Sequence, residues 1–175
     1  MTKDVFILNS SDGSESIELP VESGAIGPDV IDISKLYEEK NVFTYDPGFV
    51  STASCHSKIT YIDGDEGILL YRGYPVEQLA KSSHFIEVAY LLLYGELPNK
   101  NLLNDFSSSI THHTMLNEGM LRFFNGFRYD AHPMAMLSAI VASMSAYYHD
   151  TMDINSAHAR EIFAHRIIAK LPTIA

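Results

Sequence analysis

The feature that most constrains this chain is a change in apolar periodicity near Pro75. Ahead of it, apolar residues come in short β-branched and aromatic runs broken by turn residues. Val5-Phe6-Ile7-Leu8 and Ile17-Glu18-Leu19 flank the polar tract Ser10-Ser11-Asp12-Gly13-Ser14, whose Asp-Gly step accepts the positive φ of a hairpin turn. A second pair, Ile59-Thr60-Tyr61-Ile62 and Ile68-Leu69-Leu70-Tyr71, brackets an acidic turn between Gly64 and Gly67. The spacing predicts two β-hairpins.

After Pro75, apolar residues recur every three to four positions. Pro75 suits a first helical position and Gly73 and Gly95 act as stops, while Phe85, Val88, Ala89, Leu92 and Leu93 form one expected buried face. Leu102, Leu103, Phe106 and Ile110 predict an amphipathic helix, residues 120–127 a shorter one, Pro133 the start of another reaching Tyr148, and residues 156–171 the last. Between 134 and 146, the small residues Ala135, Ser138, Ala139, Ala142, Ser143 and Ala146 surround a stripe of Leu137, Ile140, Val141 and Met144. That pattern places the helix centrally in a bundle. The fold class is mainly α with a small N-terminal β region, divided as residues 1–50 and 51–175. The apolar ending Pro172-Thr173-Ile174-Ala175 reads as a chain cut inside a larger fold, so the helical domain is expected to be incomplete.

Composition removes several functions. A chain of 175 residues can bury a proper core, and 46% hydrophobic with 19% charged residues is ordinary for a globular protein. The net charge of −10 leaves a phosphate backbone nothing to bind, so no nucleic acid is expected. Most of that charge lies in the first half, where 14 acids face 5 bases up to Ala80, against 8 and 7 afterwards. No apolar run approaches the ~20 residues that span a bilayer, and the acidic start fits neither a signal peptide nor a transit peptide. With one cysteine there is no internal disulfide, and the expected location is cytoplasmic.

Candidate chemistry is sparse. His112 and His113 point ~100° apart on a helix, and His158 and His165 lie about 10 Å apart along one, so neither pair makes a tetrahedral metal site. Asp63-Gly64-Asp65-Glu66-Gly67 opens like a calcium loop but lacks the later oxygen ligands, and reads as a turn. Cys55-His56 reads as a packed cysteine beside a histidine rather than a nucleophile and its base, because neighbours on an extended strand face opposite ways. His149-Asp150 lies past a predicted helix end, where the histidine reads as complementing the exposed carbonyls. Arg166 and Lys170, four apart on one helical face, form either a phosphate clamp assisted by His113, Thr114 and Tyr148, or a solvated basic face. No glycine-rich phosphate loop is present, and no cofactor is expected.

One long segment carries a family resemblance. Ser54-Cys55-His56-Ser57-Lys58-Ile59-Thr60-Tyr61-Ile62-Asp63-Gly64-Asp65-Glu66-Gly67, continuing through Tyr71-Arg72-Gly73-Tyr74-Pro75 to Ala80, resembles the N-terminal signature of citrate synthases. Phe43-Thr44-Tyr45-Asp46-Pro47-Gly48-Phe49, Glu87-Val88-Ala89-Tyr90 with Tyr94-Gly95-Glu96-Leu97-Pro98, and Phe127-Arg128-Tyr129-Asp130-Ala131-His132-Pro133 resemble the bacterial, hexamer-forming branch in the same order.

The resemblance implies a citrate-synthase-like helical large domain, present in part. It also implies an acyltransferase that condenses acetyl-CoA with oxaloacetate to give citrate and CoA, working as a dimer or hexamer. The family's catalytic aspartate, histidines and arginines would lie beyond residue 175, so no catalytic residue is assigned here and the segment alone is expected to be inactive. The resemblance further implies a regulatory NADH pocket at His113, Thr114, Met115, Tyr148, Arg166 and Lys170. This chain reads His112-His113-Thr114 where the regulated pattern has Arg-His-Thr. Exchanging a permanent five-donor fork for an imidazole predicts weak NADH binding or none. The alternatives are a stand-alone regulatory or assembly module without catalysis, and a 2-methylcitrate synthase.

Overall fold

The computed structural model describes residues 4–175, which form two compact units meeting between Gly73 and Tyr74. In the first, β1 (Val5–Asn9) and β2 (Ser16–Glu22) form the first expected hairpin, with Val5 opposite Pro20 and Asn9 opposite Ser16. Its turn is built by Asp12, whose carboxylate accepts from Ser10 Oγ at 2.6 Å and from the Ser14 backbone at 3.0 Å, while Gly13 takes φ +70°. β2 alternates in burial: Ile17 and Leu19 point inward and meet Leu36 of the short helix α1 (Leu36–Lys40). A two-residue strand β3 (Val30–Ile31) pairs with the end of β2. β1 lies at the sheet edge, and its Val5, Phe6, Ile7 and Leu8 are all exposed.

Residues 41–59 hold turns and bends but neither helix nor strand. The two compact units divide after Gly73, whereas the boundary expected after residue 50 falls in this stretch. The second hairpin, β4 (Thr60–Asp63) with β5 (Ile68–Tyr71), follows it within the first unit. The acidic sequence between its strands is a turn: Asp63 Oδ1 accepts the backbone N–H of Asp65 and Glu66 at 3.1 and 3.0 Å. Cys55 departs from expectation. It is exposed, because residues 51–58 run as irregular surface chain rather than as a packed strand.

The second unit is helical: α2 (Val76–Ser82), α3 (Phe85–Tyr94), α4 (Lys100–His112), α5 (Glu118–Phe124), α6 (Pro133–Ser143) and α7 (Ala157–Ile174). Polar caps set several of the starts. Asn99 accepts from the backbone of Asn101 and Leu102, Asn117 from Gly119, and Ser156 from Ala159. α3 ends at Gly95, whose φ of +96° is the left-handed C-cap conformation that glycine adopts without strain. Two cores form. Met120, Ile140, Met144 and Ile174 join α5, α6 and α7, with Leu137 and Val141 packed beside them, and Phe106, Ile110 and Ala169 join α4 to α7 against Ile86, Ala89 and Tyr90 of α3.

Four details correct the periodicity reading. In α3 the packed residues are Ile86, Ala89, Tyr90 and Leu91, while Phe85 is 72% exposed and Leu93 is exposed, so a second apolar face remains uncovered. α6 stops at Ser143 rather than at Tyr148, and two 3₁₀ turns, Met144–Ala146 and His149–Thr151, follow it. Ala135, Ser138, Ala142 and Ala146 are exposed, so this helix has a free flank instead of a fully central place. Finally, α7 runs through Pro172 to Ile174. Proline removes one backbone donor, but burial of Ile174 and the bond from Thr173 Oγ1 to the Thr114 carbonyl at 3.1 Å hold the last turn in place. Among the described residues no helix is long and apolar enough to cross a membrane.

Ile140 is 1% exposed at the centre of the larger core. Ile140→Ala should cost about 2–5 kcal/mol in urea denaturation, whereas Phe85→Ser should stay within about 0.5 kcal/mol for the isolated chain.

Candidate functional site

Of the six residues expected to act together, Tyr148, Arg166 and Lys170 meet through their side chains near the junction of α4, α7 and the 3₁₀ turns, and His113 and Met115 join them through backbone carbonyls, while Thr114 turns its hydroxyl elsewhere. α7 rises one turn from Arg166 to Lys170, which sets Arg166 against the 3₁₀ turns and Lys170 against the segment following α4. Tyr148, between the two 3₁₀ turns, lies beneath both cations: its ring centre is 5.0 Å from the Arg166 guanidinium carbon and 4.9 Å from Lys170 Nζ.

Neither cation is solvated in the way a basic face would be, and neither is free. Lys170 is 3% exposed and donates to the carbonyl oxygens of His113 at 2.7 Å and Met115 at 2.5 Å. These carbonyls belong to the stretch where the α4 helix ends, so the ammonium supplies donors that the helix cannot. Arg166, its side chain 12% exposed, makes a two-pronged pair with Asp150: both terminal nitrogens donate to the carboxylate oxygens at 2.7 Å. Asp150, past the end of α6, is thus not left to solvent alone. The early end of α6 carries it over to α7 instead.

The charges act on one another. The Arg166 hydrogen bonds hold the Asp150 carboxyl below the usual carboxylate range, and the same contact raises the arginine. Burial, followed by the nearby positive charges of Arg166 and Lys170, pushes the His113 imidazole below its ordinary value. Thr114 Oγ1 bonds back to the Thr111 carbonyl at 2.9 Å, and the Met115 side chain is exposed. The arrangement is a cluster of two cations, one paired with a carboxylate and the other enclosed by backbone carbonyls.

A second polar cluster escaped the sequence reading. His165, one residue before Arg166 and 7% exposed, bonds through Nδ1 to Ser109 Oγ at 2.9 Å and through Nε2 to Tyr94 Oη at 2.8 Å, while Tyr94 donates to Glu161 at 2.7 Å. Because the single phenolic proton goes to Glu161, the imidazole carries its proton on Nε2 and accepts from Ser109. Phe106 closes over the ring edge-on at 5.0 Å. The cluster links α3, α4 and α7. Its only signal in the sequence was a histidine on the apolar side of a helix. Among the described residues, no group of three or more His, Cys, Asp or Glu side chains is placed to hold a metal ion.

Two predictions follow from this geometry. Lys170→Met leaves two carbonyls without a donor and should cost about 1–3 kcal/mol in thermal or urea unfolding. Burial pushes His165 below its ordinary value, against the opposing pull of Glu161, and His113 shifts the same way. The unfolded chain therefore binds these protons more readily than the folded one. Stability should hold above the unfolded histidine value of about 6.5 and fall as the pH drops through it. The melting temperature at pH 5.5 should lie below that at pH 7.5, with a smaller gap in His165→Gln; an equal gap would count against the assignment.

Known proteins give this geometry a setting. The family described as Citrate synthase, C-terminal domain, matches residues 48–175, well over half of the chain. The solved citrate synthase from Thermotoga maritima MSB8 is 30% identical, with a TM-score of 0.61 over 75% of this chain and 33% of its own. A ternary complex of citrate synthase from Thermoplasma acidophilum with carboxymethyl coenzyme A and oxaloacetate is 26% identical, with a TM-score of 0.64 over 71% of this chain and 32% of its own. The Pyrobaculum aerophilum citrate synthase is 28% identical, with a TM-score of 0.60 over 99% of this chain and 38% of its own. The chain spans about a third of the length of these structures.

Proposed function

Because the chain belongs to the citrate synthase family, we propose that it forms part of an enzyme that condenses acetyl-CoA with oxaloacetate and water to give citrate and CoA. The observation that carries this reading is the family match over 48–175, supported by the superposition on solved citrate synthases at 26–30% identity. One of these relatives is described in complex with a CoA derivative and oxaloacetate, the substrate chemistry proposed here. Residues 51–175 contribute the first part of the helical large domain. The groups that remove the acetyl proton and hold the carboxylates lie outside residues 1–175.

The segment's own contribution is scaffold and regulation. The exposed faces of α3 and α6 suit burial by further protein, in line with a dimer or hexamer of the bacterial branch. His113, Thr114, Met115, Tyr148, Arg166 and Lys170 form a pocket for an anionic effector of the NADH type, weakened by His112 in place of an arginine and by the pairing of both cations.

The test is thiol release from acetyl-CoA, with and without oxaloacetate. The protein carrying the whole family fold should release CoA only with oxaloacetate and should prefer acetyl-CoA to propionyl-CoA, while residues 1–175 alone should give none. Turnover by the segment alone would overturn the placement of the catalytic groups, and a preference for propionyl-CoA would favour a 2-methylcitrate synthase.

A further inference from the structure

We propose that Asp150 is a built-in competitor for the regulatory pocket: its carboxylate occupies the Arg166 fork, and a phosphate-bearing ligand must displace it to bind. The inference rests on reading these residues as an anion pocket and adds the device that sets its affinity.

The two cations are not equivalent. Lys170 is sealed from solvent and committed to two backbone carbonyls, so releasing it would unmake the end of α4. Arg166 is committed to a side chain alone, and that side chain is 61% exposed, on a short 3₁₀ turn at the surface. Arg166 is therefore the cation that a ligand can take, and Asp150 is what stands in the way. Tyr148 lies beneath the guanidinium, a second contact that displacement of the aspartate would not remove.

The chemistry of the fork defines the ligand. Two parallel N–H donors match a phosphate monoester or pyrophosphate oxygen pair as well as they match a carboxylate, and a phosphate near −2 is attracted more strongly than a carboxylate at −1. The aspartate has the compensating advantage of being tethered, which gives it a high effective concentration. Apparent affinity is then the intrinsic affinity scaled by the fraction of molecules in which Asp150 has swung away. Weak binding by the native chain follows from a small open fraction rather than from a missing pocket.

Asp150→Asn keeps the size of the side chain and removes its charge. Inorganic phosphate and NADH should each bind the purified Asp150→Asn protein at least tenfold more tightly than the native protein, and Asp150→Glu should stay near native. Native binding that is unchanged or weakened in Asp150→Asn would overturn the competitor while leaving the pocket standing. Absence of binding by both proteins at millimolar probe would overturn both. A measurement on the native protein covers the case of a variant that does not fold: saturation with phosphate should move the carboxyl carbon resonance of Asp150 toward that of a free aspartate, and a resonance that stays put while phosphate binds would refute displacement.

Discussion

The helical unit turns on one buried ammonium. Lys170 sits in a protein interior where a bare charge would be prohibitively costly, and it is tolerated because two carbonyl oxygens and an aromatic face surround it. This arrangement ties the end of α4 to α7. It fixes where Tyr148 must lie, and through Tyr148 it fixes how the Arg166 fork is aimed. One turn earlier on α7, His165 reaches Ser109 of α4 and Tyr94 of α3. Two polar pins, one charged and one neutral, thus set the register between helices whose apolar contacts alone would permit sliding.

This division of labour bears on regulation. A cation that also holds the fold together cannot be lent to a ligand, so under the proposed displacement the exchange falls to the other. Arg166 is tied to a surface aspartate and to a ring, and exchanging the first of these for an external anion leaves the helix packing intact.

Local rules made much of this legible. The Asp12-Gly13 turn, the acidic turn after Asp63, the Gly95 stop and the alternation along β2 each follow from a few adjacent residues. The grouping of His113, Tyr148, Arg166 and Lys170 came from four-residue spacing together with family likeness. What stayed hidden depends on distant partners. Nothing near Pro172 says that Ile174 will be buried or that Thr173 will find the Thr114 carbonyl, so the helix outruns its breaker. Likewise nothing around Asp150 announces its partner, which lies sixteen residues further along. The face of α3 was misjudged for another reason: both sides of that helix are apolar, and periodicity cannot tell which one a given neighbour will cover.

The edge position of β1 carries a consequence of its own. Its outer rim leaves main-chain groups open beside four bare apolar side chains, Val5 to Leu8, with neither a proline nor a lysine within the strand to discourage company. Such a rim is a template that any extended backbone can continue. If no neighbour is supplied by design, crowding will supply one, and the N-terminal ribbon becomes the place from which stacking of this protein into insoluble sheets would begin.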